Sequence, residues 1–340
     1  MSESELPAQK ITPVLKGLST ERLNLRHILA CVNGASSAEA VLTHAAALAK
    51  TVGARMTVIH VLGSSVVQQP MDPVEWTQRH CAMTAYLHER LSHFSDLDAE
   101  VVIVDGPPAE RICAWIHDTA VDLVVLGRGR ESERSFGGLC GTARRIVEAA
   151  NTSVLLIPSM QLDSKPIRYH KLLVPLDGSF RSECALPLSL EIADAHNAQV
   201  VLVHAAPKFD LIEGDLLNHE AIVLRDQLYR HNEHAARQYL SRLRSRLPSP
   251  PVTGTRLLPS GDARRVLVDA IMEERADLMV LSAVGKSGHA DMAIGSVADY
   301  LINRVSIPVL LVRQHQHSQA KTHGETCNAM DIRQPNQRVL

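Results

Sequence analysis

Aromatic residues make up only 3% of this 340-residue chain, too few for the base-stacking surface that grips single-stranded nucleic acid. An excess of one charge is lacking too, since 35 lysines and arginines stand against 37 aspartates and glutamates, for a formal net charge of -2. No broad field therefore draws the molecule to a phosphate backbone or an anionic bilayer. Nothing in the sequence approaches the roughly 18 consecutive apolar residues of a membrane span. The opening MSESELPAQK lacks the basic-then-apolar order of a secretory signal. Cys31, Cys81, Cys113, Cys140, Cys184 and Cys327 form no CxxC pair and no metal-ligand spacing. They are read as reduced thiols of a cytoplasmic protein. Cys31 falls inside a strand pattern and Cys113 inside a helix pattern, where core packing accounts for both.

What the chain does have is a repeat. His27-Ile28-Leu29-Ala30-Cys31-Val32-Asn33-Gly34 matches Lys171-Leu172-Leu173-Val174-Pro175-Leu176-Asp177-Gly178 at an offset of 144. The same offset carries Val58-Ile59-His60-Val61 onto Leu202-Val203-His204-Ala205. Farther on the offset becomes 155, and Val121-Asp122-Leu123-Val124-Val125-Leu126 falls on Ala276-Asp277-Leu278-Met279-Val280-Leu281. An insertion between the second and third strands of the second copy explains the change. The length suits two domains of roughly 100–200 residues each, and 45% hydrophobic residues supply two cores.

Each half alternates short apolar runs with longer helical patterns. In the second half the strands are expected at 171–176, 199–205, about 253–258, 277–281 and 308–312. Continuous Val, Leu and Ile, without alternation, implies a sheet covered on both faces. Strands alternating with helices give right-handed crossovers. The expected fold is α/β, with two tandem doubly wound, parallel five-stranded sheets that carry helices on both faces in Rossmann-like layers. The first domain is assigned to 24–160 and the second to 168–314, with a short link around 160–166 and flexible tails at 1–23 and 315–340. Gly53 and Asn197 suit the left-handed position that closes the first helix of each half, and Asp262 suits an N-cap. Long helices are expected near 74–94 and 219–246. His315 and His317 are read as tail residues, not metal ligands.

In such sheets ligands bind beyond the carboxyl ends of the strands, where strand order reverses. Small and polar residues gather there in the second half. Strand one ends in Pro175-Leu176-Asp177-Gly178-Ser179, and strand four in Ser282-Ala283-Val284-Gly285-Lys286-Ser287-Gly288. Gly295-Ser296 then opens the last helix at Val297. Gly285 and Gly288 let backbone N–H groups crowd a phosphate, and a helix N-terminus at Ser296 favours an anion. Asp177, an acceptor that would repel phosphate, belongs at the nucleoside end. Gly285-Lys286-Ser287 imitates a P-loop, but Val280 stands where that motif needs glycine. His60 and His204, at matching strand ends, are read as packed or capping residues. The mixed-sign cluster from Arg128 to Arg134 is read as a solvated loop.

Pro-x-Asp-Gly-Ser, Val-His, Ser-Gly-Asp and Gly-x9-Gly-Ser together resemble the universal stress protein family in its tandem form, over about 24–160 and 168–313. The resemblance implies an adenine-nucleotide α-hydrolase-like fold and an ATP site, with or without Mg²⁺, lined by Pro175, Asp177, Ala205, Val284, Gly285, Gly295, Ser296 and Val297. The family's nucleotide pattern starts with glycine where this chain has Ser282. If that position required positive φ, serine would strain it by about 1–3 kcal/mol. The first half fails the same test: Arg130 stands opposite Gly285, Cys140 opposite Gly295 and Asn33 opposite Asp177. Gly141-Thr142 could restore the helix-opening pair only with one added loop residue.

By that resemblance the chain is a non-enzymatic, ATP-binding stress-response protein whose nucleotide occupancy acts as a switch. A weak ATP hydrolase and a nucleotide-free scaffold are the competing readings. No catalytic or metal residue is assigned. Adenine nucleotide and an unidentified protein are the expected partners, with association through the last strands, 153–158 and 308–312, within one chain or between two.

Overall fold

The computed structural model describes residues 25–33, 35–63, 72–94, 97–129, 139, 141–158, 167–207, 219–286, 288 and 292–313. The tails, the 160–166 link, Arg130 to Arg134, Cys140, Ser287 and the two tail histidines lie outside the described residues.

The first half runs β1 (His27–Val32), α1 (Ala35–Val52), β2 (Arg55–Leu62), α2 (Pro73–Leu91), β3 (Ala99–Asp105), α3 (Pro108–Asp118), β4 (Leu123–Gly127), α4 (Gly141–Ala149) and β5 (Ser153–Ile157). The second runs β6 (Lys171–Pro175), α5 (Phe180–Glu183), α6 (Ala185–His196), β7 (Gln199–Pro207), α7 (His219–Arg246), β8 (Val252–Gly261), α8 (Ala263–Glu274), β9 (Leu278–Ser282), α9 (Ser296–Arg304) and β10 (Val309–Val312). The insertion between the second and third strands lengthens a helix, since α7 has 28 residues where α2 has 19.

Local chemistry explains the ends of these elements. Gly53 and Asn197 take the left-handed conformation, at φ 68° and 51°, and close α1 and α6. The Asp262 carboxylate accepts the Arg264 N–H and caps α8. The repeated aspartates have the same task in both halves. Asp122 accepts the amides of Arg26 and His27 at 2.8 and 3.0 Å, and Asp277 those of His170 and Lys171 at 2.6 and 2.9 Å. Each pins the entry of its half's first strand beside the fourth.

The ten strands form one sheet in the order β3-β2-β1-β4-β5-β10-β9-β6-β7-β8. Each half is a parallel doubly wound unit, and the two meet where β5 and β10 pair antiparallel, Leu155 opposite Leu310. The association expected of the last strands is thus realised inside the chain. Each of these two strands already has a neighbour on both sides, so a second copy has no strand edge to join there. Buried side chains cover each face of the sheet continuously across both halves, one layer under α1, α2, α6 and α7, the other under α3, α4, α8 and α9. Among the described residues no helix is long and apolar enough to cross a membrane.

The halves are also clamped by side chains. Arg128, expected in a solvated loop, is 3% exposed and donates to the carbonyls of Val305 and Ile307 at 2.5 Å each. The reason is positional: the residue follows β4, beside the β5–β10 seam, where only a long donor reaches the turn before β10. Arg313 reciprocates, donating to the Val147 carbonyl at 2.7 Å. On the other face the His44 ring lies 2.7 Å from the Tyr169 hydroxyl, and Thr51 pairs with His196 at 3.1 Å.

Candidate functional site

Strand order reverses between β1 and β4 in the first half and between β6 and β9 in the second. The β6–β9 pairing covers only Leu172 and Leu173, against Leu278 and Met279. Beyond them the two strands part, and their carboxyl ends open a crevice, as the topology requires.

Asp177 is the pivot of this crevice. Its Oδ1 accepts the Ser179 amide at 2.9 Å and the Ser179 hydroxyl at 2.6 Å, while Oδ2 accepts the Lys286 amide at 2.6 Å. The carboxylate therefore ties the end of β6 to the loop after β9. Burial pushes its pKa up, but the hydrogen bonds from Ser179, Lys286 and Ser182 outweigh burial and hold it below the usual carboxylate range. It is ionised at neutral pH, and a carboxylate with about four acceptor positions keeps capacity for a ligand N–H or O–H.

At two of the glycines a side chain would have to displace a neighbour. A Cβ on Gly285 would lie 2.5 Å from Asp177 Oδ2, and one on Gly288 would lie 2.2 Å from Val284 Cγ1. Gly295 is different, for a Cβ there would meet the Ala283 carbonyl at 3.5 Å, the Gly285 nitrogen at 3.6 Å and the Val284 Cα at 3.7 Å. That is ordinary contact, but it would occupy space where the loop faces the helix. Gly295 donates to the Ala283 carbonyl at 2.8 Å and precedes α9 with no side-chain cap, so the first-turn amides around Ser296 and Val297 remain available to an anion.

Ser282 carries no strain. It ends β9 opposite Val312, is absent from the positive-φ positions, and its hydroxyl donates to the Val284 carbonyl at 2.9 Å. The departure from the family's glycine is accommodated by ordinary backbone.

Asp177, Gly285, Lys286, Gly288, Gly295 and Ser296 thus stand in one loop cluster. Pro175 ends β6, and Ala205, Val284 and Val297 are half-buried around the same core. Leu176 is 3% exposed and packs inward, which leaves its carbonyl to His204 Nδ1 at 2.8 Å. His60 does the same for Val32 at 2.9 Å, so both histidines are caps. Ser287 lies outside the described residues.

Sequence reading missed Arg181, whose Nη1 donates to the Gly288 carbonyl at 2.6 Å. It also missed the Tyr239 hydroxyl, which donates to Glu183 at 3.0 Å beside the His204 ring. Ser179 could have been found from Asp-Gly-Ser alone; Arg181 and Tyr239 carried no motif.

The first half differs at the matching place. Arg128 leaves the strand end for the seam, and α4 starts at Gly141 as α9 does at Ser296. That spacing keeps the 155 offset without an added loop residue, so Gly141 corresponds to Ser296 and Cys140 to Gly295.

The profile of the universal stress protein family matches residues 24–158 and 168–313. A universal stress protein of Mycobacterium tuberculosis is 25% identical over 280 residues, covering 76% of this chain and 86% of that one. Another from the same species is 23% identical over 269 residues, covering 76% and 87%. Among solved structures, a universal stress protein from Archaeoglobus fulgidus superposes with a TM-score of 0.58 at 15% identity, over 86% of this chain and 98% of its own. A functionally unknown protein from Pseudomonas aeruginosa gives a TM-score of 0.60 at 14% identity, over 86% and 94%.

Proposed function

We propose, because this chain belongs to the universal stress protein family through both of its halves, that it is a stress-response protein which binds ATP in its second half and signals by occupancy, without catalysis. The observation that carries this reading is the contact of Gly285 with Asp177, where a Cβ would come within 2.5 Å of the carboxylate. That contact brings a backbone loop, an ionised acceptor and the uncapped start of α9 around one crevice. The amides near Gly285, Ser296 and Val297 suit the phosphates, and Mg²⁺ would share their charge. Asp177 suits a ribose hydroxyl or a base amino group, while Pro175, Ala205 and Val284 supply apolar walls.

Occupancy stabilises the folded chain by RT ln(1 + [L]/Kd), about 2.7 kcal/mol at a hundredfold excess of ligand over Kd. That is enough to bias the choice of a protein partner. Mass spectrometry of small molecules released from the heat-denatured protein tests the reading. Adenine nucleotide should appear, and incubation with Mg²⁺ and ATP should release no ADP or AMP. Titrations with adenylates that give neither heat nor a thermal shift would end it.

A further inference from the structure

Arg181 belongs to no nucleotide motif, and at the offset of 144 that joins the two strand-one ends the first half has Ser37 in its place. The half that keeps the glycine-rich loop is thus the half with a cation beside it. Arg181 is half-buried on α5, the short helix capped where the Ser179 hydroxyl accepts the Ser182 amide. That helix carries its side chain to the loop after β9.

The loop is pinned twice, and the pins differ in sign. Asp177 Oδ2 accepts the Lys286 amide at 2.6 Å, and Arg181 Nη1 donates to the Gly288 carbonyl at 2.6 Å. Between them the Gly288 amide closes onto the Gly285 carbonyl at 3.2 Å. The aspartate occupies an amide and brings a negative charge, which repels phosphate. The arginine occupies a carbonyl, the group that phosphate oxygens avoid, and brings a positive charge.

Among the described residues neither Arg181 nor the exposed Lys286 forms an ion pair. A guanidinium carries several N–H donors in a planar fork that matches phosphate. The Gly288 carbonyl takes one of them, so the charge and the rest of the fork remain for an anion. We propose that Arg181 is the specificity-determining residue for phosphate-chain length: it fixes the Gly288 end of the loop and supplies the charge that favours a nucleoside di- or triphosphate over a monophosphate or a bare nucleoside. This rests on the reading of the crevice as an adenine-nucleotide site, and adds which nucleotides that site retains.

The test titrates the full chain with ATP, ADP, AMP and adenosine by calorimetry, in wild type, Arg181→Met, Arg181→Gln and Arg181→Lys. Arg181→Met should weaken ATP and ADP by about tenfold through loss of a charged donor, while AMP and adenosine change little. Arg181→Gln can still donate to Gly288 but carries no charge, so it should keep the unliganded urea midpoint and still lose the preference for ATP over AMP. Arg181→Lys should recover part of that preference. A residue that only supported the fold would lower all four affinities together and shift the urea midpoint. Equal losses of ATP and adenosine, or a wild-type ATP-to-AMP ratio in Arg181→Gln, would overturn this inference and leave the ATP reading standing. A wild type that binds none of the four would overturn that reading and this inference with it.

Discussion

Gly285 approaches Asp177 so closely that a Cβ on the glycine would lie 2.5 Å from the carboxylate oxygen that already holds the Lys286 amide at 2.6 Å. The same atom thus sets the loop's position and must be displaced by any side chain placed at Gly285. Gly285→Arg, which reproduces the residue of the first half, should abolish thermal stabilisation by ATP while the unliganded chain stays folded, because the loop lies at the surface of the second core. Gly295→Ala, with only ordinary contacts, should leave unfolding in urea unchanged and weaken ATP. Equal stabilisation of Gly285→Arg and wild type by ATP would refute the site.

Nucleotide content should reach about one per chain, since only the second loop has glycines where backbone must approach phosphate. Asn33→Asp restores the acceptor at the end of β1 but neither missing glycine, so it should create no second site. Calorimetric stoichiometry checks both statements, and two equivalents of nucleotide in the wild type would show the first half to be misjudged.

The fold was legible because its signals are local and repeated. Continuous apolar strands such as His27–Val32, the Gly53 and Asn197 stops and the Asp262 cap all hold in the structure. The pairing of Asp122 and Asp277 was visible as repetition, but their task at the strand entries was not, since it needs residues about a hundred positions apart. Asp177, Gly285 and Gly295 were legible as a spacing pattern. Arg181 and Tyr239 were not, because their roles depend on how α5 and α7 pack, which no short motif encodes. Arg128 was misread for the same reason: charge beside charge in a loop looks solvated until the tertiary seam supplies carbonyls.

Arg128 should therefore matter to the whole chain. Removing its guanidinium strands the carbonyls of Val305 and Ile307, which each accept at 2.5 Å across the seam. Charged hydrogen bonds of this kind contribute about 1.5–3 kcal/mol each. Arg128→Met should cost about 3 kcal/mol in urea unfolding and separate the transitions of the two halves, and Arg128→Lys should recover part of it. A single transition at the wild-type midpoint would contradict the clamp.

Acid should loosen the opposite face first. Burial lowers the pKa of His44 from 6.5 to about 4, with the Tyr169 hydroxyl 2.7 Å away. The native ring stays neutral while the unfolded chain takes up a proton below about pH 6.5. Stability is therefore constant with respect to this group above that pH, and falls as pH drops from about 6.5 to 4, by roughly 3 kcal/mol in all. Burial likewise lowers His27, His60, His196 and His204, which act in the same direction. Asp177 contributes in a separate window: its folded pKa lies below the ordinary 3.8, so its stabilisation is lost only at still lower pH. Urea unfolding at pH 7.5 and pH 5 should show a marked loss in the wild type and a smaller one in His44→Gln, which no longer titrates. If both chains lose the same amount, His44 is not the acid-sensitive group at the joint between α1 and Tyr169.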